Sequence, residues 1–150
     1  MALVDKIFYH IMAMASDQKI ILDQNTHGLK DSLEAVNFNK VYDLSILKLD
    51  PQVETDAGVI HKKLKKLGAT TPNSSFLFIT KNAIHFKNPD NYDVLWVPDK
   101  FNPQFLAESI KQWLATQPKR GPKNLILQAN KSNSKHTTRY TIEVVNLGRK

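Results

Sequence analysis

The chain has 150 residues and no cysteine, which suits one domain and excludes disulfides, thiol catalysis and thiolate metal sites, so that any metal must be held by oxygen or imidazole. Its 41% hydrophobic and 23% charged residues are those of an ordinary globular protein, and no run approaches the roughly 18 apolar residues of a membrane span. The net charge of +7 points to a polyanionic partner, because clustered Lys and Arg release counterions from phosphates; solubility alone is the plain alternative.

Leu3, Val4, Ile7, Phe8, Ile11 and Met12 recur at helical spacing opposite Asp5, Lys6 and His10. This predicts an amphipathic first helix that either packs across a sheet or supplies a dimer surface, with Met12 and Met14 as packing residues. Asp5 and the periodic spacing do not resemble a secretory signal, so a cytoplasmic location is expected.

Lys19, Ile20, Ile21 and Leu22 form a short apolar strand that delivers Asp23, Gln24 and Asn25 at its carboxyl end. Thr26 and Gly28 are turn and cap candidates before a helical stripe of Leu29, Leu33 and Val36. Residues 41–47 read as a second strand, within which Asp43 is either a further acidic ligand or a solvated strand residue. Asp50-Pro51 breaks the chain. A helix follows from about Val53, burying Val59, Ile60, Leu64 and Leu67, turning Lys62, Lys63, Lys65 and Lys66 to solvent, and closing at Gly68. Its amino-terminal dipole favours Glu54 and Asp56.

Phe76, Leu77, Phe78 and Ile79 make an apolar run that stops at Thr80-Lys81-Asn82, as a strand buried on both faces of a parallel sheet does. Such sheets carry their chemistry at the carboxyl ends of their strands. Residues 83–86 and 93–97 read as further strand pieces around a turn at Asn88-Pro89-Asp90-Asn91. Asn102 and Pro103 open a helix with Phe105, Leu106, Ile110, Trp113 and Leu114 facing inward. The basic connector Pro118-Lys119-Arg120-Gly121-Pro122-Lys123 leads to a hairpin of residues 125–127 and 140–145.

The succession Ile20-Ile21-Leu22-Asp23-Gln24-Asn25, an amphipathic helix, Thr55-Asp56 at a helix start, and Phe78-Ile79-Thr80-Lys81-Asn82-Ala83-Ile84-His85-Phe86 resembles the PIN-like ribonucleases, including VapC-type toxins. The resemblance spans roughly residues 19–115. It implies a three-layer α/β domain with a mainly parallel central sheet, here with an extra N-terminal helix and a C-terminal β-hairpin, in a single domain over 1–150. It also implies metal-dependent endoribonuclease activity, with Mg or Mn held by Asp23 and Asp56, Asn82 orienting water or touching phosphate, and Thr80 holding the turn. Many PIN-like members carry a further Asp near the Thr-x-Asn turn, where this chain has Lys81, Ala83 and His85.

Asn25 either aims at the same pocket or bonds its own backbone as a turn; His85 either replaces an acid or is a packed side chain. Lys62, Lys63, Lys66, Lys81, Lys119, Arg120 and Lys123 are candidates for contact with nucleic acid, RNA above all. Tyr92 and Phe101 are either base-stacking platforms or core. An antitoxin or other protein partner and a homodimer are compatible with this reading. The alternative is a catalytically inactive PIN-like module that binds nucleic acid or protein. No Gly-x-Ser-x-Gly elbow, P-loop or His-Glu-x-x-His helix is present, so serine-hydrolase, nucleotide-triphosphatase and zinc-protease readings have no support.

Overall fold

A computed structural model describes residues 9–43, 60, 62–66, 76–81, 92–116, 125–131 and 140–145, apart from the side chains of Gln24, Asn25 and His27. The described elements are β1 (Ser16–Leu22), a 3-10 stretch (Gln24–Leu29) running into α1 (Lys30–Ala35), β2 (Phe38–Asp43), β3 (Phe76–Thr80), β4 (Asp93–Trp96), α2 (Pro103–Ala115), β5 (Ile126–Lys131) and β6 (Tyr140–Val144). The six strands form one sheet in the order β2-β1-β3-β4-β5-β6. All neighbours are parallel except β5 and β6, which are antiparallel, as the predicted terminal hairpin requires. The fold is therefore α/β with a mainly parallel sheet.

Strand alternation divides the apolar side chains between two cores, one on each face. Ile20, Leu22, Leu77, Ile79, Leu95 and Leu127 face α1 and α2, whose Leu33, Leu106 and Ile110 complete that side. Ile21, Phe76, Phe78, Val94 and Ile126 face the other way and meet Ile60 and Leu64. Tyr92 belongs to this second core, stacked on Phe76 with ring centroids 5.2 Å apart, so of its two readings the packing one holds. All five residues of β3 are buried. Each fully buried Leu, Ile or Phe contributes about 1.5–3 kcal/mol, which makes this central strand the most heavily stabilised segment of the sheet.

Several local features follow from the residues present. The side-chain oxygen of Asn102 accepts from the Phe105 N–H at 3.0 Å and Pro103 takes the first helical position, so α2 starts where the sequence places it. Asn37 adopts φ 68°, closing α1 in the left-handed region that Asn tolerates, while its side-chain amide donates to the Met12 carbonyl at 2.8 Å. That turn starts β2 at Phe38 rather than at residue 41; residues 44–47 of the expected strand lie outside the described residues. Residues 9–13 are helical, and Met12 packs against the core as expected; Met14 is 53% exposed, contrary to the packing role expected of it. Phe105 is only half-buried, whereas Ser109 and Lys111 of the same helix are buried.

α1 and α2 pack on the same face, although the β1–β2 connection steps one way along the sheet and the β4–β5 connection the other. Two parallel crossovers on one face that step in opposite directions have opposite hands. Ile60 and Leu64, within the β2–β3 connection, lie on the other face and give that connection the hand of β1–β2. Because about 98% of such crossovers are right-handed, the unit formed by β4, α2 and β5 is the exceptional one. The Tyr140 N–H donates to the Ser109 hydroxyl at 2.9 Å, binding α2 to β6.

Candidate functional site

β1 and β3 lie side by side in the sheet, and the chain leaves them in opposite directions, toward β2 and toward β4. This is a topological switch point, and in open α/β sheets ligands bind in the crevice outside the carboxyl ends of such strands. The register pairs Leu22 with Ile79, which brings the next residues, Asp23 and Thr80, to the same level.

The two side chains meet there. The Thr80 hydroxyl donates to Asp23 Oδ2 at 2.6 Å, within the 2.5–2.7 Å range usual for a hydroxyl bound to a carboxylate. Both residues are buried, Asp23 to 8% exposure and Thr80 completely. The Asp23 N–H donates to the Ile79 carbonyl at 2.9 Å, extending the β1–β3 ladder past the end of β1. Thr26 then fixes the turn: its N–H and its hydroxyl each donate to the Asp23 carbonyl at 2.9 Å, and the hydroxyl lies 3.3 Å from the Ile79 carbonyl. Thr26 is thus a turn residue as expected, but it binds backward to β1 and does not cap α1, whose N-cap is Leu29.

Lys81 follows immediately. The Trp96 indole N–H donates to the Lys81 carbonyl at 3.0 Å and the Val97 N–H donates to the Thr80 carbonyl at 3.0 Å, so the departing backbone is held from the β4 side. The Lys81 ammonium stands 5.5 Å from the centroid of the half-buried Phe101 ring. Lys62, Lys63 and Lys66 are exposed around the buried Leu64, on the face to which alternation also assigns Asp23 and Thr80. Asp43 pairs with Leu22 and so reaches the same sheet edge, but alternation sets it on the opposite face from Asp23, which does not favour its reading as a further ligand.

Asp56, Asn82, Lys119, Arg120 and Lys123, with Glu54 and His85, lie outside the described residues. Among the described residues no three His, Asp or Glu side chains gather where they could hold an ion, and no helix is long and apolar enough to cross a membrane. Asp23 is a hard oxygen donor at a fixed place, which suits one ligand of Mg or Mn. The contact of Phe101 with Lys81 emerges only in three dimensions, because the two stand twenty positions apart in the chain.

No family model, curated protein or solved structure matches this chain.

Proposed function

We propose that this protein is a PIN-like, metal-dependent endoribonuclease that hydrolyses RNA phosphodiester bonds at the crevice beyond β1 and β3. The supporting observation is the Asp23–Thr80 pair at the switch point of the sheet. Asp23, joined by Asp56, would hold Mg or Mn. The ion would supply charge neutralisation and Lewis-acid polarisation of the phosphodiester.

The chain's own residues contribute positioning. Thr80 fixes one carboxylate oxygen of Asp23, so the side chain does not need to be ordered when ligand arrives. Thr26 immobilises the backbone beneath it. Asn82 would contact the phosphate or orient water, and Lys62, Lys63 and Lys66 would draw the RNA backbone toward that face.

The same bond also favours a second reading, a catalytically silent RNA-binding module, since a carboxylate that ties two strands together is useful to the fold alone. Incubating the protein with single-stranded RNA and Mg or Mn separates the two. Cleavage that disappears in a folded Asp23→Asn variant supports the nuclease. Binding without cleavage at either metal supports the silent module and rejects the nuclease.

A further inference from the structure

We infer that the outer edge of β6 pairs with the same edge of a second copy of this chain, antiparallel across a two-fold axis at Ile142, so that two sheets become one. The inference is independent of the nuclease reading, because β4 and β5 separate β6 from the crevice at β1 and β3.

The register of β6 shows which of its groups are spent. Among the described residues β6 pairs with β5 alone, and the Val145 N–H donates to the Ile126 carbonyl at 2.7 Å. Such bonds alternate along an antiparallel pair, so Thr141 and Glu143 also turn their backbone groups to β5, while Tyr140, Ile142 and Val144 turn theirs outward. The Tyr140 N–H accordingly reaches the Ser109 hydroxyl of α2 and not β5. No described residue bonds the outward groups of Ile142 or Val144. The edge is also unguarded. β2, at the other end of the sheet, exposes Asn39 and Lys40, and a lysine on an edge opposes pairing. β6 instead carries the strand-favouring Tyr140, Thr141, Ile142 and Val144, with 52% of Val144 exposed. Phe105 stands one turn before Ser109 on the side of α2 that reaches this edge, half-buried and part of neither core.

Self-complementarity selects a second copy as the occupant. With Ile142 opposite its own counterpart, Thr141 faces the second copy's Glu143 and Tyr140 faces the second copy's Val144. The Thr141 hydroxyl then donates to Glu143 Oε2, because Oε1 already accepts from the Asn130 amide at 2.7 Å. An aromatic residue opposite a β-branched one adds to the ladder. Ile142 exchanges both backbone bonds with its counterpart, and each Val144 N–H donates to the other copy's Tyr140 carbonyl. Moving the axis by one residue would set Glu143 against Glu143, which like charge disfavours.

The test uses the full chain, whose lack of cysteine makes introduced thiols unambiguous. Thr141 and the second copy's Glu143 form a non-hydrogen-bonded pair with Cα atoms about 4.5 Å apart, within reach of a disulfide. Each residue lies about 8 Å from its own counterpart, beyond the roughly 7 Å limit. Under mild oxidation a mixture of Thr141→Cys and Glu143→Cys chains should therefore cross-link, and neither variant alone should. Sedimentation of the unaltered chain from low micromolar to submillimolar concentration should show a monomer–dimer equilibrium. Val144→Pro removes an outward N–H and no bond to β5, so it should melt as a folded protein and stay monomeric throughout. A monomer at every concentration overturns the pairing and leaves the edge to a strand of another protein. A dimer that Val144→Pro does not weaken, or cross-linking as strong in either single variant as in the mixture, overturns it too. Should Val144→Pro fail to fold, the cross-linking result decides alone.

Discussion

The Lys111 ammonium lies 5.1 Å from the centroid of the Phe38 ring and donates to the carbonyls of Met14 and Val36. A lysine near the middle of α2 thereby gathers the end of the first helical turn, the end of α1 and the start of β2. Only 5% of the residue is exposed, so its three donors replace water with backbone oxygen and an aromatic face.

Replacing Lys111 by Met keeps a long chain but leaves the two carbonyls without this donor, at a cost of about 1–3 kcal/mol near neutral pH. Urea titration of Lys111→Met against the unaltered chain measures this. Equal midpoints and slopes would show that the ammonium contributes nothing net.

Burial also pushes the Lys111 pKa below its ordinary value of 10.5. In the pH window between the folded pKa and 10.5 the unfolded chain binds more protons than the folded one, so the contribution of this group to stability increases as pH rises through that window and is lost as pH falls through it. The unaltered chain should therefore gain stability relative to Lys111→Met on going from neutral pH toward 10.5. Parallel stability profiles for the two proteins would contradict this.

Nothing in the sequence marks Lys111 for burial. It stands between Ile110 and Gln112, outside the inward stripe that the sequence predicts for this helix, and its acceptors are 97 and 75 residues away along the chain. What was legible came from short-range pattern: the runs ending at Leu22 and Ile79, the stripe of Leu29, Leu33 and Val36, and the Asn102-Pro103 start of α2. That Asp23 and Thr80 stand at strand ends of a parallel sheet was legible as well; the bond between the Thr80 hydroxyl and the Asp23 carboxylate was not, because it depends on the lateral pairing of β1 with β3. The lateral order of the strands and the face taken by α2 were not, because long crossovers decide them and local spacing does not. The start of β2 was missed for a different reason, as the left-handed Asn37 fixes it one turn earlier than the apolar alternation suggests.

Thr80→Val preserves shape and removes the hydroxyl from Asp23. The loss of a hydrogen bond to a charged group should cost about 1.5–3 kcal/mol, with Thr80→Ser keeping most of it. Calorimetric melts of the three proteins make the comparison. In the nuclease reading Thr80→Val should also slow RNA cleavage, and Thr80→Ser should preserve it.

Asn37→Ala places an ordinary side chain at φ 68° and deletes the bond to the Met12 carbonyl, so a loss of about 1–2 kcal/mol is expected. Asn37→Gly should recover the backbone part alone and fall between the two. Denaturation midpoints ordered otherwise would mean that the left-handed turn is not under strain.

Tyr92→Ala opens a void beside Phe76 in the second core and should cost about 3–5 kcal/mol, the range for deleting a buried aromatic. A loss below about 1 kcal/mol in chemical denaturation would indicate that the core closes over the gap.

The pairing of β1 with β3 sets the tempo at which this protein assembles. Asp23 and Thr80 stand 57 positions apart in the chain, and a loop of that span must close before the middle of the sheet exists. The β1-α1-β2 crossover is local and can form early, but its β1 edge has no neighbour to dock on until β3 arrives. Folding should accordingly be slow for a chain of this length, with its rate most sensitive to substitutions along the seam between these two strands.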